Sequence, residues 1–515
     1  MITVIVISLT LIVLYLYNTR NFNYWKKRGI KYIKPVIIFG SMLENYLIRE
    51  SVTETITQWY KEYPGEKVVG YFRSSKPGLL IRDPELIKRV LITDFAHFYE
   101  RGLHPDKYGI EPLLQNLFFA EGDLWRLLRQ RMTPAFTSGK LRAMFPLIVE
   151  RAEQLQARTL AASREGRTID ARDLMARYTT DFIGACGFGL DAGSLNEENS
   201  EFRKLGQQIF EFNITVVIIT IMKHAFPALS RNLKYTRKLE NQVLSLVQQI
   251  LIKRKYQRSN RNDFIDLMID CKQKGVIELE SLEKMKSDGT PDLVKLELTD
   301  KLIAAQVFVF FAAGFETSSS ATSYTLHQLA HSPEVQKKVQ KEIDEVLSKH
   351  DYKLSYDAVK SMTYLEWTFK EGMRLFPSLG YLARKCTKKY TFPELNLTID
   401  DGVYVCIPIQ GIHTDGQYFD NPFEFRPERF SLENFNETNK YVYLPFGDGP
   451  RACIGARLGL MQSLAGLAAI LSKFTVKPAP ETKKHLTVEP KFDIVQNIEG
   501  GLPLLFIERN EQNDM

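Results

Sequence analysis

Hydrophobic and polar positions along this chain change period several times, and each change marks an element. Ile2 to Tyr17 is an uncharged run rich in Ile, Val and Leu, followed by Arg20, Lys26, Lys27 and Arg28. As a helix its sixteen residues cover about 24 Å, slightly short of a bilayer core of about 30 Å. Tyr15, Tyr17, Tyr24 and Trp25 suit an interface. A secretory signal carries its charge before the apolar run and small residues after it. Here the charge comes after, and Asn18-Thr19-Arg20-Asn21 is a poor cleavage site. The pattern predicts an uncleaved N-terminal membrane-anchor helix within residues 1–20, with the rest of the chain on the cytosolic side.

Beyond it, Lys34-Pro35-Val36-Ile37-Ile38-Phe39-Gly40 closes a basic linker, 21–40, ahead of one large body, 41–515. Lys67 to Arg82 is rich in β-branched and aromatic residues with Gly and Pro breaks, which reads as a hairpin. Helical periodicity dominates from Trp125 to Lys253. Arg258 to Leu298 is charged, with a turn at Ser287-Asp288-Gly289-Thr290-Pro291, and reads as a surface loop region apart from the apolar-patterned Phe264–Met268. Thr299 or Asp300 can cap a helix with no break before Ser332-Pro333, about 48 Å long, and there another helix opens with Ser332 as cap and Pro333 in the first turn. From Leu302 to Phe315 it is apolar on nearly every face except at Gln306, as in a buried helix. Short strand-like pieces return between Tyr381 and Cys406. The fold class is mostly α with a small β-rich subdomain.

Composition narrows the function. The 515 residues are 25% charged and 44% hydrophobic, which is globular. Five scattered cysteines (Cys186, Cys271, Cys386, Cys406, Cys453) without a CxxC argue against a disulfide framework or zinc ribbon. A net charge of +7 without a long basic run suits an anionic membrane or acidic protein and gives no sign of nucleic-acid binding. There is no Gly-rich dinucleotide fingerprint, so a flavin or nicotinamide would have to sit on another protein.

Four constellations carry candidate chemistry. In Phe446-Gly447-Asp448-Gly449-Pro450-Arg451-Ala452-Cys453-Ile454-Gly455, glycines permit positive φ and an arginine stands two residues before the cysteine. Such a loop either buries a structural cysteine or holds a thiolate as a soft metal ligand. Ala313-Gly314-Phe315-Glu316-Thr317-Ser318 places a glycine, a carboxylate and hydroxyls inside the apolar helix. Thr317 there either bonds back to the Ala313 carbonyl or acts on a ligand. Glu371 and Arg374 lie three apart on a helix beginning near Ser361, and can pair. Trp125 and Arg129, four apart, can offer an indole N–H and a guanidinium from one face.

Taken in order, these segments resemble the cytochrome P-450 family from the anchor to about residue 505. The Cys453 decapeptide matches its haem-thiolate signature, Ala313–Thr317 its distal-helix segment, Glu371–Arg374 its ExxR, and Phe425-Arg426-Pro427-Glu428-Arg429-Phe430 its PERF segment. Pro35 and Gly40 match the proline-rich hinge of membrane-bound members, with Ile37 where a second proline would stand. Tyr24–Gly29 and Thr179–Gly184 look like insect microsomal, xenobiotic-metabolising members.

The resemblance implies the P-450 fold and haem b with Cys453 as axial thiolate, a ligation that favours O–O cleavage. It implies that Trp125, Arg129, Arg384, Arg451 and Arg101 hold the haem propionates, and that Phe446 contributes to haem binding. Thr317 would hydrogen-bond iron-bound dioxygen and Glu316 would relay protons, while Glu371, Arg374 and Arg429 would form a buried structural triad.

The implied activity is insertion of one oxygen atom from O2 into an apolar small molecule, xenobiotic or endogenous. The implied electron source is an NADPH-dependent cytochrome reductase in the endoplasmic reticulum membrane, with cytochrome b5 as a second candidate donor. The alternatives are a hydroperoxide-rearranging enzyme of the same fold, which has no need of an acid–alcohol pair, and a non-enzymatic haem or lipid carrier. Candidate pocket walls are the loop 103–112, Val307, Phe308, Phe311, 379–382 and 497–501, and Arg126, Arg131 and Lys140 are candidate contacts for an acidic donor. His413 and the other histidines read as structural or surface.

Overall fold

A computed structural model of the chain describes residues 1–103, 111–210, 214–235, 237–435, 440–491 and 494–509. Helices dominate among them, and the organising element is the central helix Asp300–Ala330. Thr299 caps it by accepting the Leu302 N–H at 3.2 Å. Its apolar faces are covered by Ala171–Ile183, Thr363–Leu375 and Ala456–Lys473, which pack directly on it. Gln306, the polar exception in its first half, is fully buried and satisfied. Its amide donates to the carbonyls of Gln115 and Leu302 and accepts from the Leu117 N–H, which ties the helix to the 115–117 loop.

The expected hairpin forms as antiparallel strands Val68–Arg73 and Lys76–Ile81. Tyr404–Ile407 adds to it in parallel, and Leu382–Lys385 completes a four-stranded sheet. A separate apolar core, with Trp25, Phe72, Leu79, Ile81, Phe98 and Ile407 among its members, lies around this sheet. The larger core belongs to the helices. Residues 21–40 pack on the sheet rather than linking freely. Trp25 is fully buried and donates its indole N–H to the Tyr71 carbonyl, and Arg28 pairs with Asp400 at 2.6 Å.

Two expectations need correction. The charged stretch 258–298 is not a loop region: it contains the helix Phe264–Gln273 and a hairpin of Ile277–Met285 with Pro291–Leu296. The alternation Ile277-Glu278-Leu279-Glu280 is a strand signal that the density of charge concealed. The Ser287–Pro291 turn stands where expected, as the hairpin connection. Ser332, expected to cap Pro333–Ser348 with its side chain, occupies the cap position without a side-chain capping bond.

The first helix runs Ile2–Thr19, long and apolar enough to cross a membrane, with its side chains almost all exposed. Its foot touches the body where Tyr17 stacks on Phe226, ring centroids 6.3 Å apart.

Candidate active site

The cysteine loop is built from its glycines outward. Gly447 and Gly449 both take left-handed backbone, φ +67° and +73°. A side chain at Gly449 would also collide with the Leu91 carbonyl, so no other residue fits there. The loop folds back so that the Cys453 N–H donates to the Phe446 carbonyl at 2.9 Å. Phe446 thereby positions the cysteine through its backbone, while its ring packs against the helical core. Cys453 is solvent-accessible, whereas Cys186, Cys271, Cys386 and Cys406 are buried. Desolvation by the protein around it pushes its thiol up, and the Gly455 N–H, Arg101 and Arg129 pull it back toward the thiolate.

Arg101, Arg129, Arg384 and Arg451 converge beside this loop. Arg129 donates to the Ala452 carbonyl at 2.8 Å and Arg101 to the Arg451 carbonyl at 3.2 Å. Arg451 donates to the carbonyls of Tyr99 and Ala120, both at 2.8 Å, and lies 4.3 Å over the Trp125 ring. Arg384, on the last strand of the four-stranded sheet, donates among the described residues only to the carbonyl of its neighbour Ala383.

Among the described residues none of the four is paired with a carboxylate. Arg384 Nε and Arg451 Nη1 are buried without any hydrogen-bond partner. Burial first, and then Arg101, push Arg384 down to about 9. Burial likewise brings Arg101 down to about 10, with Arg129 adding to the effect. Arg451 falls well below the usual arginine range through burial, Arg101 and Arg384, against the opposing fields of Glu121 and Glu100. Since a guanidinium keeps its proton under ordinary conditions, the cluster holds positive charge with no paired carboxylate among the described residues. A ligand with two carboxylates beside a thiolate-bound metal fits this donor set.

The Ala313–Thr317 segment is different. Ala313 is exposed in the middle of an otherwise buried helix, and Thr317, one turn on, is half-buried on the same side. The Thr317 hydroxyl donates to the Ala313 carbonyl at 2.6 Å, and the Thr317 carbonyl accepts the hydroxyls of Ser320 and Ser378, each at 2.9 Å. Gly314 has a packing reason, because any side chain there would strike Ile183.

Glu316, unlike Ala313, is buried. It is ion-paired with Arg172, which also donates to Ser319, and both side chains are about nine-tenths buried. The pair lines a cavity of about 560 Å³ whose wall includes Arg203, Gly206, Phe315 and Asn497. Thr317 and Glu316 are thus adjacent in sequence but presented to different spaces.

The expected triad is present. Glu371 and Arg374, both fully buried, meet through two bonds of 2.7 and 2.8 Å, and Arg429 reaches Glu371 at 3.3 Å. Arg374 also donates to the carbonyls of His413 and Pro422, each at 2.7 Å. His413 is a link that the sequence did not disclose. It is buried, and its Nε2 accepts the Leu444 N–H at 3.0 Å. The Leu444 carbonyl in turn accepts the Gly447 N–H, so the triad reaches the cysteine loop through one histidine. Burial, with Arg374 beside it, pushes His413 down to about 3, which keeps it neutral.

Other expected residues fall elsewhere. Phe311 is fully buried among Phe188, Phe202 and Phe315, in the core and not on a pocket wall, and Val307 is fully buried too. Residues 104–110 of the expected pocket loop lie outside the described residues. Arg126 and Arg131 are engaged with the carbonyls of Glu280 and Gly275, at 2.7 and 2.6 Å, so neither is as free to meet a partner as expected. Arg172, Ser378 and His413 carry no motif that would have singled them out.

The family model described as Cytochrome P450 matches residues 31–504. Cytochrome P450 6B6 of Helicoverpa armigera is 36% identical over 504 residues, 98% of each chain. Cytochrome P450 6a2 of Drosophila melanogaster is 36% identical over 509 residues, 97% of this chain and 98% of that one. With the match covering nearly the whole chain and the cysteine loop built as the signature requires, this protein belongs to the cytochrome P450 family of haem-thiolate monooxygenases.

Proposed function

We propose that the chain, divided as anchor 1–20, packed linker 21–40 and catalytic body 41–515, is a membrane-bound monooxygenase of the endoplasmic reticulum. It acts on apolar small molecules with electrons from an NADPH-dependent flavoprotein reductase. The observation that carries the reading is the cluster of four guanidiniums beside the accessible Cys453, two of them (Arg384 and Arg451) buried, with no carboxylate partner among the described residues. In this reading Cys453 Sγ would hold the haem iron as a thiolate, and Arg101, Arg129, Arg384 and Arg451 would hold the two propionates, with Trp125 stacked under Arg451. Haem bound there supplies the chemistry that, with two electrons and two protons, places one atom of O2 in the substrate and releases the other as water.

The protein's own part is to hold, orient and move protons. The Gly449–Leu91 contact and the Cys453–Phe446 hydrogen bond keep the sulfur from swinging. Thr317 Oγ can release the Ala313 carbonyl and pass a proton toward the space Ala313 faces. The Glu316 carboxylate, held by Arg172 at the cavity wall, can take up a proton when that pair opens. The exposed Ile2–Thr19 helix followed by Arg20, Lys26, Lys27 and Arg28 supports an anchor with the body in the cytosol. The donor meets the face where the cysteine loop nears the surface, with Lys140 as a cation that has no hydrogen bond or ion pair among the described residues.

The test is reconstitution with an NADPH-dependent flavoprotein reductase and isotopically labelled dioxygen, using plant toxins, insecticides, fatty acids and sterols as substrates. One labelled atom per product supports the reading. Binding without NADPH-dependent product across the panel would leave a carrier.

A further inference from the structure

The helix Gly122–Met132 is gripped on two sides. On one, Trp125 lies under Arg451, and Arg129 donates to the carbonyl of Ala452, next to the cysteine. Residue 123 lies about 200° around a helix from residue 125, so Asp123 presents the other side. There the hairpin Ile277–Met285/Pro291–Leu296 is fastened to it. Asp123 accepts the Ser281 hydroxyl and the Leu282 N–H, both at 2.6 Å. Arg126 and Arg131 add bonds to the carbonyls of Glu280 and Gly275.

The contact is built, not incidental. Ser281 is 3% exposed on a strand whose other residues are mostly exposed. Its hydroxyl also accepts the N–H groups of Glu283 and Lys284, at 3.0 and 2.7 Å, where the hairpin register shifts between Glu280 and Met285. The shift therefore presents Ser281 and Leu282 to Asp123. Leu282 and Leu296 pack against the helical core, which gives the hairpin a fixed base. The Trp125 helix has only 11 residues, and its cap residue Glu121 makes no side-chain capping bond, so little in the helix itself fixes where it sits.

We propose that Asp123, through Ser281 and Leu282, is a positioning residue for the haem site: the hairpin is a strut that keeps Trp125 and Arg129 on the cysteine loop. The inference rests on the role given above to Arg129. A guanidinium held near the iron and propionates favours the reduced state and retains the cofactor. A helix that drifts from the loop lowers the midpoint potential and loosens the haem.

The experiment uses the full-length holoenzyme and measures haem transfer to apomyoglobin, midpoint potential and Tm. Variants are Asp123→Ala, Asp123→Asn, Ser281→Ala, Arg129→Gln and the double variants with Arg129→Gln. Asp123→Ala should speed haem loss about tenfold, in the range for outer-shell partners of a metal site, and lower the potential in the direction that Arg129→Gln does. Asp123→Asn, which keeps an acceptor, should recover part of both.

In the Arg129→Gln background Asp123→Ala should add little, because the two act through one contact. Replacing the exposed turn residue Asp288 by Ser should change nothing. Ser281→Ala, which keeps the Leu282 bond, carries the same test with smaller shifts if Asp123→Ala does not accumulate. Additive effects, or unchanged haem loss and potential in Asp123→Ala and Ser281→Ala while Arg129→Gln shows both, would overturn the strut and leave the Arg129 role standing. No effect of Arg129→Gln itself would overturn that role instead.

Discussion

The cysteine side and the central-helix side of this site are built on opposite principles. Around Cys453, four guanidiniums gather, Arg384 and Arg451 buried and Arg101 and Arg129 half-buried; among the described residues none has a carboxylate partner, and Arg384 Nε and Arg451 Nη1 have no hydrogen-bond partner. Along Ala313–Thr317, the polar groups are satisfied within the protein: Thr317 by Ala313, Glu316 by Arg172, and the Thr317 carbonyl by Ser320 and Ser378. Unmet polar demand in a folded core is costly and points to a ligand that meets it. Satisfied groups allow two uses, a resting structural role and a working role in which the same bonds open. The first side declares the cofactor, and the second has to be tested in motion.

The largest expected effect falls on the frame beneath the cysteine side. Removing one partner of a buried ion pair typically costs about 3–5 kcal/mol, a large share of a protein's net stability. Glu371→Ala and Arg374→Ala should therefore yield little folded, haem-loaded protein. Normal haem content with only slower turnover would mean that the triad serves the reaction rather than the fold.

Next come the guanidiniums themselves. Arg451→Gln and Arg384→Gln should weaken haem retention by about 10–100-fold, the usual cost of losing an outer-shell partner of a metal site. Their apoproteins should be at least as stable as wild type, since each change removes an uncompensated buried charge. A destabilised apoprotein would show that the cluster is structural, and the contrast between the two sides would collapse.

On the central-helix side, Thr317→Ala and Glu316→Gln should leave haem bound and lower the product formed per NADPH consumed. Arg172→Gln should act in the same direction by freeing Glu316. Unchanged coupling in all three would return the segment to packing alone.

The smallest effect is a pH dependence. His413 ordinarily titrates near 6.5 and is held down to about 3 in the fold, so the unfolded chain binds its proton first as pH falls. Its contribution to stability is full above about 6.5 and is lost progressively as pH falls from there toward about 3. Unfolding of the apoprotein by denaturant should show a flatter acid limb in His413→Gln than in wild type. Parallel limbs would remove the histidine from the link between triad and cysteine loop.

Much of this was legible in the sequence. The central helix follows from an uninterrupted apolar pattern and its Thr299 cap, the first hairpin and the N-terminal apolar helix from their residue patterns, and the cysteine loop from glycines whose positive φ no other residue takes cheaply. The 277–296 hairpin was not, because alternation at partly exposed strands is masked when the outward residues are all charged. Arg172 and His413 were not, because pairing across elements 31 to 144 residues apart leaves no spacing to read. Gly314 was read as a mark of function, whereas its nearest constraint is the Ile183 side chain of a packed neighbour.

The most direct test of the central claim, that Cys453 and the guanidinium cluster form the haem-thiolate site, is the absorbance spectrum of the reduced CO complex. Wild type should show the red-shifted Soret band for which the family is named. Cys453→Ser should lose it, whatever haem it retains. Persistence of the band in Cys453→Ser would place the thiolate on another cysteine and contradict the account.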